Sequence, residues 1–185
     1  MALIFLNGTS SAGKTTLARE LQERLASPHL LTGIDDAFAM LPNRLHNHRD
    51  GFYFERDHRN KVRLNFGEFG RATLKAHHRS VAAIAKSGID LICDEVILTD
   101  ELRQDWMTVL ADLDVTLIGV HCSLDELQRR ESARGDRIIG QAEGQIDLVH
   151  EGMTYDIEVD TTVLPSSEVA DQIVREIAAS LPSRS

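Results

Sequence analysis

The sequence predicts an α/β protein with a mostly parallel sheet of five strands and helices on both faces of the sheet. Apolar stretches of strand length alternate with helical periods along the chain, which is typical of parallel strands joined by crossover helices. A glycine- and serine-rich turn directly follows the first apolar stretch, and two later stretches are followed by carboxylates. Because the carboxyl ends of parallel strands meet at one edge of a sheet, we expect these polar groups to lie together there.

Each predicted element depends on a local pattern. The strands are short runs of strand-forming residues, at Ala2 to Leu6, His29 to Thr32, Ile89 to Ile97, Val115 to Cys122 and Ile157 to Asp160. The helices show helical periodicity, over Lys14 to Leu25, Glu68 to Lys86, Glu101 to Ala111, and from a cap at Ser166 or Ser167 through Ala179. A further helix capped by Ser123 is expected to end at Gly135, and a second to begin at Asp136.

Length and pattern indicate one domain with two additions to its core. A chain of 185 residues fits a single domain spanning residues 1–185. Residues 41–66 lose regular periodicity and are rich in His, Arg and Asp, so we expect a substrate-side insertion there. The arginine-rich helical pair at about 123–150 is expected to form a lid.

Composition excludes several classes of function. The formal net charge of −9 disfavours a nucleic-acid partner, which needs a basic surface. No run of about 18 apolar residues and no signal-like start is present, so we expect neither membrane spanning nor export. The two cysteines, Cys93 and Cys122, lie in strand-like apolar runs and are expected to be reduced thiols. The cytoplasm is the expected compartment, and the sequence does not indicate an oligomeric state.

The turn after the first strand matches the phosphate-binding pattern G-x-x-x-x-G-K-[ST] at every position. Its residues are Gly8, Thr9, Ser10, Ser11, Ala12, Gly13, Lys14 and Thr15. In this pattern backbone N–H groups surround a phosphate, the lysine charge lies near the outer phosphates, and the threonine hydroxyl can bind Mg²⁺. The sequence therefore predicts a P-loop fold that binds ATP and Mg²⁺. The guanine-reading element Asn-Lys-x-Asp of switch GTPases is incomplete, since Arg63 stands where its aspartate would be.

Carboxylates follow two of the predicted strands. Asp94 ends the apolar run Leu91 to Cys93, where a P-loop protein holds its magnesium shell opposite the hydroxyl of Thr15. Glu95 shares that role or faces solvent. Asp35 and Asp36 follow the second strand, and one of them is expected to accept the proton of an acceptor hydroxyl. The other reading is that either one only caps the next helix.

Arg130, Arg134 and Arg137 are four and three residues apart, so on a continuous helix they share one face. Guanidinium groups above a γ-phosphate can neutralise charge in the transition state, and a helical lid can exclude water. The alternative is a solvated face whose arginines pair with Glu131 and Asp136.

The remaining conspicuous residues are expected to be structural. The histidines match no common metal-ligand spacing and are predicted to be solvated, at His46, His48, His58, His77 and His78. Trp106 lies on the apolar side of a predicted helix and is expected in the core.

Four stretches together resemble the chloramphenicol phosphotransferase family. They are Leu6 to Thr15, Gly33-Ile34-Asp35, Glu131 to Arg137 with its Ala-Arg-Gly-Asp-Arg sequence, and His150 to Asp156 followed by Asp160-Thr161-Thr162. The phosphate-binding stretch is common to many kinases, whereas the last two stretches, in this order and spacing, are more specific to the family. The resemblance extends over nearly the whole chain.

The resemblance implies a kinase with a fold of the nucleotide- and shikimate-kinase type that transfers phosphate from ATP to the primary 3-hydroxyl of chloramphenicol. It assigns the base to Asp35, after Gly33-Ile34, and the lid arginine to Arg137 with Arg134 beside it. The family more often has a small polar residue where Asp36 stands. The stretch Asn43 to Asn65 is more charged than expected around an apolar nitroaromatic compound, so another hydroxylated acceptor stays open.

Two other functions remain open at this point. A metabolic kinase of the shikimate, gluconate or nucleotide type would need cations for an anionic acceptor, and the arginines at positions 44, 49 and 56 could supply them. A nucleotide-dependent switch or binding module would instead act on a partner protein and phosphorylate no small molecule.

Overall fold

The computed structural model describes residues 3–134 and 138–180. The strands in these ranges are β1 (Leu3–Asn7), β2 (Leu30–Gly33), β3 (Phe52–Arg56), β4 (Val62–Phe66), β5 (Leu91–Glu95), β6 (Val115–His121) and β7 (Ile157–Asp160). Five of them form one sheet in the order β2-β5-β1-β6-β7, with every neighbouring pair parallel. The predicted sheet is therefore confirmed, and β1 lies at its centre.

Helices connect the strands of this sheet. They are α1 (Lys14–Arg24), α2 (Ile34–Ala39), α3 (Glu68–Lys86), α4 (Asp100–Leu110), α5 (Leu124–Arg134), α6 (Gln141–Gln145) and α7 (Ser166–Ser180). A short 3₁₀ turn covers Asn43–Leu45. Among the described helices, none has the length and apolar character that crossing a bilayer requires.

Alternation along β1 explains why helices cover both faces of the sheet. Ile4 and Leu6 belong to an apolar cluster with side chains of α1 and α7, such as Leu17 and Ile173. Leu3 and Phe5 belong to a second cluster on the other face with side chains of α3 and α4. Because both faces are buried, β1 needs a continuous apolar run rather than an alternating one.

Helix α2 begins before Asp35 and Asp36, although one reading of the sequence made one of them the cap that precedes it. The helix begins at Ile34, so Asp35 and Asp36 lie in its first turn rather than before it. The carboxylate of Asp36 accepts the N–H of Gly33 at 3.1 Å, which satisfies a backbone donor that the helix leaves unpaired. Asp36 therefore caps the helix from within its first turn. Ser123 caps α5 as predicted, since its hydroxyl accepts the N–H of Glu126 at 3.4 Å.

The predicted cap of the last helix is wrong. The N–H groups of Glu168 and Val169 bond to the carbonyl of Pro165, at 3.0 and 3.2 Å. Ser166 is consequently the first helical residue, and neither serine precedes the helix.

A β-hairpin occupies much of the predicted insertion at residues 41–66. Strands β3 and β4 are antiparallel, with Phe52 opposite Phe66 and Phe54 opposite Leu64. The carboxylate of Asp57 accepts the N–H groups of Arg59 and Lys61 in the turn, at 2.8 and 3.0 Å. These two strands were not predicted from the sequence. That the segment is an insertion on the substrate side stays a prediction.

The prediction that His77 and His78 are solvated is wrong. His77 is 3% exposed and its Nε2 lies 3.0 Å from the hydroxyl of Thr32. His78 is 1% exposed, stacks on Trp106 with ring centroids 3.9 Å apart, and bonds to Asp105 at 2.6 Å. The placement of Trp106 in the core is confirmed.

Acid is expected to destabilise the fold through His78. Burial lowers the pKa of His78 to about 4, and the hydrogen bond that His78 makes to the carboxylate of Asp105 offsets this only in part. An unfolded histidine titrates near pH 6.5, so between these values the unfolded chain binds a proton that the folded chain does not. Stability present above about pH 6.5 is therefore lost as the pH falls towards 4.

We expect His78→Gln to weaken the pH dependence of the unfolding free energy by about 1–3 kcal/mol between neutral pH and pH ~4.5, measured by urea denaturation. His58→Gln is the matched control, because His58 is exposed. A pH dependence that is unchanged in His78→Gln would contradict the assignment.

Candidate functional site

A cleft of about 1090 Å³ opens at the carboxyl ends of β2, β5 and β1. Its lining includes the turn after β1, helix α2, the β3–β4 hairpin and the arginine-bearing helix α5. This is the edge of a parallel sheet where ligands bind in open α/β folds. The cleft therefore brings together the motifs that the sequence analysis placed at strand ends.

The turn Gly8 to Thr15, here called the phosphate loop, bends tightly between β1 and α1. Gly13 has φ 85°, a left-handed conformation that glycine adopts at little cost, and α1 begins at the next residue. The N–H of Ser10 donates to the side-chain oxygen of Gln145 at 2.7 Å. Thr9, Ser10 and Lys14 are buried, so contacts with the protein interior hold the loop in place.

Lys14, Thr15 and Asp94 form the polar centre of the cleft. The Lys14 ammonium lies 3.5 Å from one carboxylate oxygen of Asp94 and donates to the carbonyl of Thr9 at 2.9 Å. The Thr15 hydroxyl donates to the other carboxylate oxygen at 2.6 Å. The structure thus brings together the lysine, the hydroxyl and the carboxylate that the sequence analysis selected for the phosphate and metal.

Features of the phosphate loop fit a bound phosphate. The hydroxyl oxygen of Ser11 is buried and has no hydrogen-bond partner, although the residue borders the cleft. A buried hydroxyl without a partner is costly, and a phosphate oxygen would satisfy it. Ser11 also has φ 64°, which is uncommon for a residue with a side chain and marks local strain.

The same centre fits Mg²⁺ held together with phosphates. Among the described residues, no group of three or more His, Cys, Asp or Glu side chains could hold a metal alone. Mg²⁺ usually takes one or two protein ligands and completes its shell with phosphate oxygens and water. Thr15 and Asp94 offer such a pair.

Glu95 does not line the cleft, so its predicted share in the metal site has no support from the geometry. Its carboxyl group is 2% exposed, and one of its oxygens lies 3.8 Å from Nδ1 of His77 on α3. Burial, followed by the nearby charge of Asp94, raises the pKa of Glu95 to about 8. At neutral pH Glu95 is therefore a mostly protonated, buried residue at the end of β5.

Asp35 and Asp36 both border the cleft from the first turn of α2. A Cβ atom on Gly33 would lie 2.2 Å from the carbonyl oxygen of Asp94, so only glycine lets β2 approach β5 this closely. This contact places the beginning of α2 beside the Lys14 and Asp94 pair. The carboxylate of Asp36 caps α2, and the assignment of the proton acceptor to Asp35 stays a prediction.

Helix α5 brings Arg129, Arg130 and Arg134 to the cleft. Arg130 pairs with Glu126 at 2.7 Å and donates to Thr161. Hydrogen bonds from Arg129 and then Arg130 lower the pKa of Glu126 to about 2. Arg137, the lid arginine of the sequence analysis, lies outside the described residues, as do Gly135 and Asp136.

Glu131, which one reading of the sequence paired with nearby arginines, bonds to backbone N–H groups in the described part of the chain. Its carboxylate is 1% exposed and accepts the N–H groups of Gly140 and Ala142, at 2.6 and 2.9 Å. These bonds join the last turn of α5 to the start of α6. The arginine-bearing helix is thereby fixed at its carboxyl end.

An aromatic wall that was not predicted from the sequence lies on the far side of the cleft, formed by Phe38, Phe52 and Phe54 together with Leu64. The rings of Phe38 and Phe52 have centroids 4.3 Å apart. The signal was present, because Phe52, Phe54 and Leu64 alternate with polar residues as in a strand with one buried face. Gln145 was missed as well, and no local pattern marks it.

Among the residues that the structure describes, the charged side chains of the hairpin do not line the cleft. Arg63 pairs with Asp57 at 2.8 Å and with Asp147 at 2.9 Å. Arg49 pairs with Glu55 and lies 5.4 Å from the centre of the Tyr53 ring. Several charged side chains of this stretch therefore form ion pairs with one another or with Asp147.

A protein family and two known proteins match this chain in sequence. Residues 1–178 match the family described as "Chloramphenicol phosphotransferase-like protein". Two proteins of Mycobacterium tuberculosis, each named "Putative O-phosphotransferase", are 35% identical over 179 residues. The match covers 92% of this chain and 80% of each relative.

Solved structures show the same fold at low identity. A sugar kinase from Janibacter sp. HTCC2649 superposes with a TM-score of 0.66 at 15% identity, over 96% of this chain and 95% of that one. The tunicamycin resistance protein of Deinococcus radiodurans superposes with a TM-score of 0.64 at 19% identity, over 95% and 94%. The predicted P-loop kinase fold is thereby confirmed.

The Ser11 hydroxyl is expected to bind a nucleotide phosphate. Ser11→Ala removes the hydroxyl and should weaken binding of the ATP analogue AMP-PNP by about 5- to 10-fold, in line with one hydrogen bond to a charged group. Ser11→Gly should weaken binding equally while relieving the positive φ. Isothermal titration calorimetry measures both, and wild-type affinity in the two variants would contradict the role.

Glu131 is expected to hold α5 against α6. Glu131→Gln replaces one acceptor oxygen by a donor, so the amides of Gly140 and Ala142 should exchange hydrogen about 10- to 100-fold faster. Amide exchange followed by NMR measures this directly. Glu143→Gln on α6 is the control, and equal protection in all three proteins would show that the carboxylate does not fix the helix.

Proposed function

The chain belongs to the chloramphenicol phosphotransferase-like family, and from that membership we propose that it transfers the γ-phosphate of ATP to a hydroxyl of chloramphenicol or a similar antibiotic. The chain is a phosphotransferase of the small-molecule kinase type, as family and relatives agree. One observation supports the proposal best. The Lys14, Thr15 and Asp94 centre, the aromatic wall and Asp35 all line a single cleft.

The phosphate loop carries the nucleotide in this proposal. Its N–H groups and the Ser11 hydroxyl bind phosphate oxygens, and Lys14 places a positive charge beside the outer phosphates. Thr15 and Asp94 would hold Mg²⁺, which when bound neutralises charge on the phosphates. The Thr15 hydroxyl already contacts Asp94, so these two groups need little rearrangement.

Asp35 receives the proton of the acceptor. The hydroxyl oxygen forms a bond to the γ-phosphorus while the bond to the β–γ bridging oxygen breaks, and ADP leaves. The hydroxyl proton moves to the Asp35 carboxylate, which is exposed to the cleft. The products are a phosphate ester and ADP.

Arginines of α5 act on the charge that the transferred group carries. Arg134 lines the cleft on the side of the phosphate loop, and Arg130 lies against that loop, since a Cβ on Gly13 would be 3.4 Å from its guanidinium. Arg134, with Arg137 beyond the described residues, is proposed to stabilise the transition state. Residues 123–150 would then close over the nucleotide and exclude water.

The lining of the acceptor side favours an uncharged aromatic alcohol. Within residues 34–66 as the structure describes them, the lining side chains are apolar apart from Asp35 and Asp36. An anionic acceptor would meet two carboxylates and no cation there, which is unfavourable in a partly desolvated cleft. Of the arginines considered for an anionic acceptor, Arg44, Arg49 and Arg56, none lines the cleft in the described part of the chain.

One observation supports the alternative of a metabolic kinase with an anionic acceptor, because Arg19 of α1 lines the cleft. A nucleotide switch has less support, because it has no use for an aromatic wall beside a phosphate site.

The test is a coupled ADP-release assay with chloramphenicol, shikimate and gluconate, and mass spectrometry for an added phosphate. We expect phosphate on chloramphenicol alone; phosphate on an acid, or hydrolysis without any ester, would overturn the proposal.

Asp35 gives the sharpest test of the proposed chemistry. Asp35→Asn keeps the shape but not the basicity, so phosphate transfer should fall about 10²- to 10⁴-fold while ATP affinity changes only a few-fold. Asp36→Asn should do much less, because an amide oxygen can still accept the N–H of Gly33. The transfer rates and ATP dissociation constants of both variants are measured side by side; a larger loss at Asp36 would assign the base there instead.

A further inference from the structure

Asn7 is the last residue of β1 and directly precedes the phosphate loop, and its side chain is fully buried. Its Nδ2 donates to the carbonyl oxygen of Val149 and to the hydroxyl of Tyr155, both at 2.7 Å. Its Oδ1 accepts the N–H of Ile97 at 3.0 Å. Both donors and the acceptor oxygen of the amide are therefore used to connect β1 with three other segments.

Tyr155 is itself held by His150 and Gly119. Its hydroxyl lies 2.7 Å from Nδ1 of His150. A Cβ on Gly119 would come within 2.6 Å of the Tyr155 ring, so the ring lies directly against the backbone of β6. This packing leaves the ring little freedom to turn, and the position of its hydroxyl is correspondingly well defined.

Donor and acceptor can be assigned in the hydrogen bonds that join Asn7, Tyr155 and His150. Burial raises the pKa of Tyr155 to about 12, so the hydroxyl keeps its proton. Burial, and then the neighbouring His121, lower the pKa of His150 to about 4, so the ring is neutral near pH 7. Asn7 therefore donates to the Tyr155 oxygen, and Tyr155 donates to Nδ1 of His150.

The hydrogen bonds of Asn7 also involve the end of the predicted lid, since Val149 lies there. The Val149 N–H donates to the backbone carbonyl of Gln145 at 3.0 Å, and the side chain of Gln145 accepts the N–H of Ser10 at 2.7 Å. The segment from Gln145 to Val149 is thus bonded both to the phosphate loop and to the residue before it. Asn7, His150 and Tyr155 do not line the cleft, so they act on it only through these neighbours.

We propose that Tyr155 is a positioning residue for nucleotide binding, which with His150 orients the Asn7 amide and so fixes the phosphate loop against the end of the lid. His150 and Tyr155 belong to a sequence stretch that the proposed chemistry does not otherwise use. Only the effect of Tyr155 on turnover rests on the proposed function. Nucleotide affinity tests it without any acceptor.

Tyr155→Phe removes only the hydroxyl and leaves an amide hydrogen of Asn7 and a ring nitrogen of His150 without partners. We expect AMP-PNP with Mg²⁺ to bind about 5- to 30-fold more weakly by isothermal titration calorimetry. Tyr53→Phe is the matched control, because Tyr53 is the only other tyrosine and does not line the cleft. An affinity within twofold of the wild type in Tyr155→Phe would overturn the proposal.

Variants at His150 separate positioning from a general loss of packing. His150→Ala should weaken AMP-PNP binding about as much as Tyr155→Phe, and the double variant should be no weaker than either, because all three break one chain of contacts. His150→Asn keeps an acceptor near the position of Nδ1 and should bind more nearly as the wild type does. Additive losses, or equal losses in the Ala and Asn variants, would overturn the proposal.

These outcomes are independent of the acceptor. A wild-type protein that binds AMP-PNP but phosphorylates no tested alcohol would contradict the proposed function and leave the role of Tyr155 to be decided by affinity alone.

Discussion

The carboxylate of Asp94 is the contact around which the cleft is arranged. One of its oxygens faces the Lys14 ammonium at 3.5 Å and the other accepts the Thr15 hydroxyl at 2.6 Å. Strand β5 can supply this carboxylate because it lies between β1, which leads into the phosphate loop, and β2, which leads into α2. The order of strands in the sheet thus determines which chemical groups meet.

Charge is separated across the cleft in a way that suits transfer between two different molecules. Cationic groups come from α1 and α5, at Lys14, Arg130 and Arg134, whereas the hairpin and α2 supply aromatic side chains and two carboxylates. A phosphate-rich ligand is favoured on the first side and an uncharged, apolar one on the second. The two sides are held together by backbone contacts that are too close for side chains, such as Gly33 against Asp94.

Sequence patterns were sufficient for the parts of the fold that depend on local chemistry. The phosphate loop has an unambiguous pattern, and the continuous apolar runs of β1 and β5 could be interpreted as buried parallel strands. Helix α3 and strand β7 have the predicted bounds. These elements carry their own signal because burial on two faces, or an amphipathic period, constrains every residue in them.

Other features depend on tertiary contacts that no local pattern shows. His77 and His78 look polar in sequence, but they follow Leu74 at helical spacing on the buried face of α3 and pack behind the sheet. In the hairpin, the alternation of apolar and polar residues is a strand pattern that the prediction passed over, and only the pairing of Arg63 with the distant Asp147 has no local signal. The choice of Asp35 as base came from family resemblance, and it stays a prediction.

The central claim is that Asp94 and Thr15 hold Mg²⁺ together with the nucleotide beside Lys14. Titration of AMP-PNP into the wild type and Asp94→Asn, each with and without Mg²⁺, tests this claim most directly. The account predicts that Mg²⁺ strengthens binding to the wild type about tenfold or more and that Asp94→Asn loses this gain while its Mg²⁺-free affinity does not fall. A variant that keeps the full gain from Mg²⁺ would contradict the account.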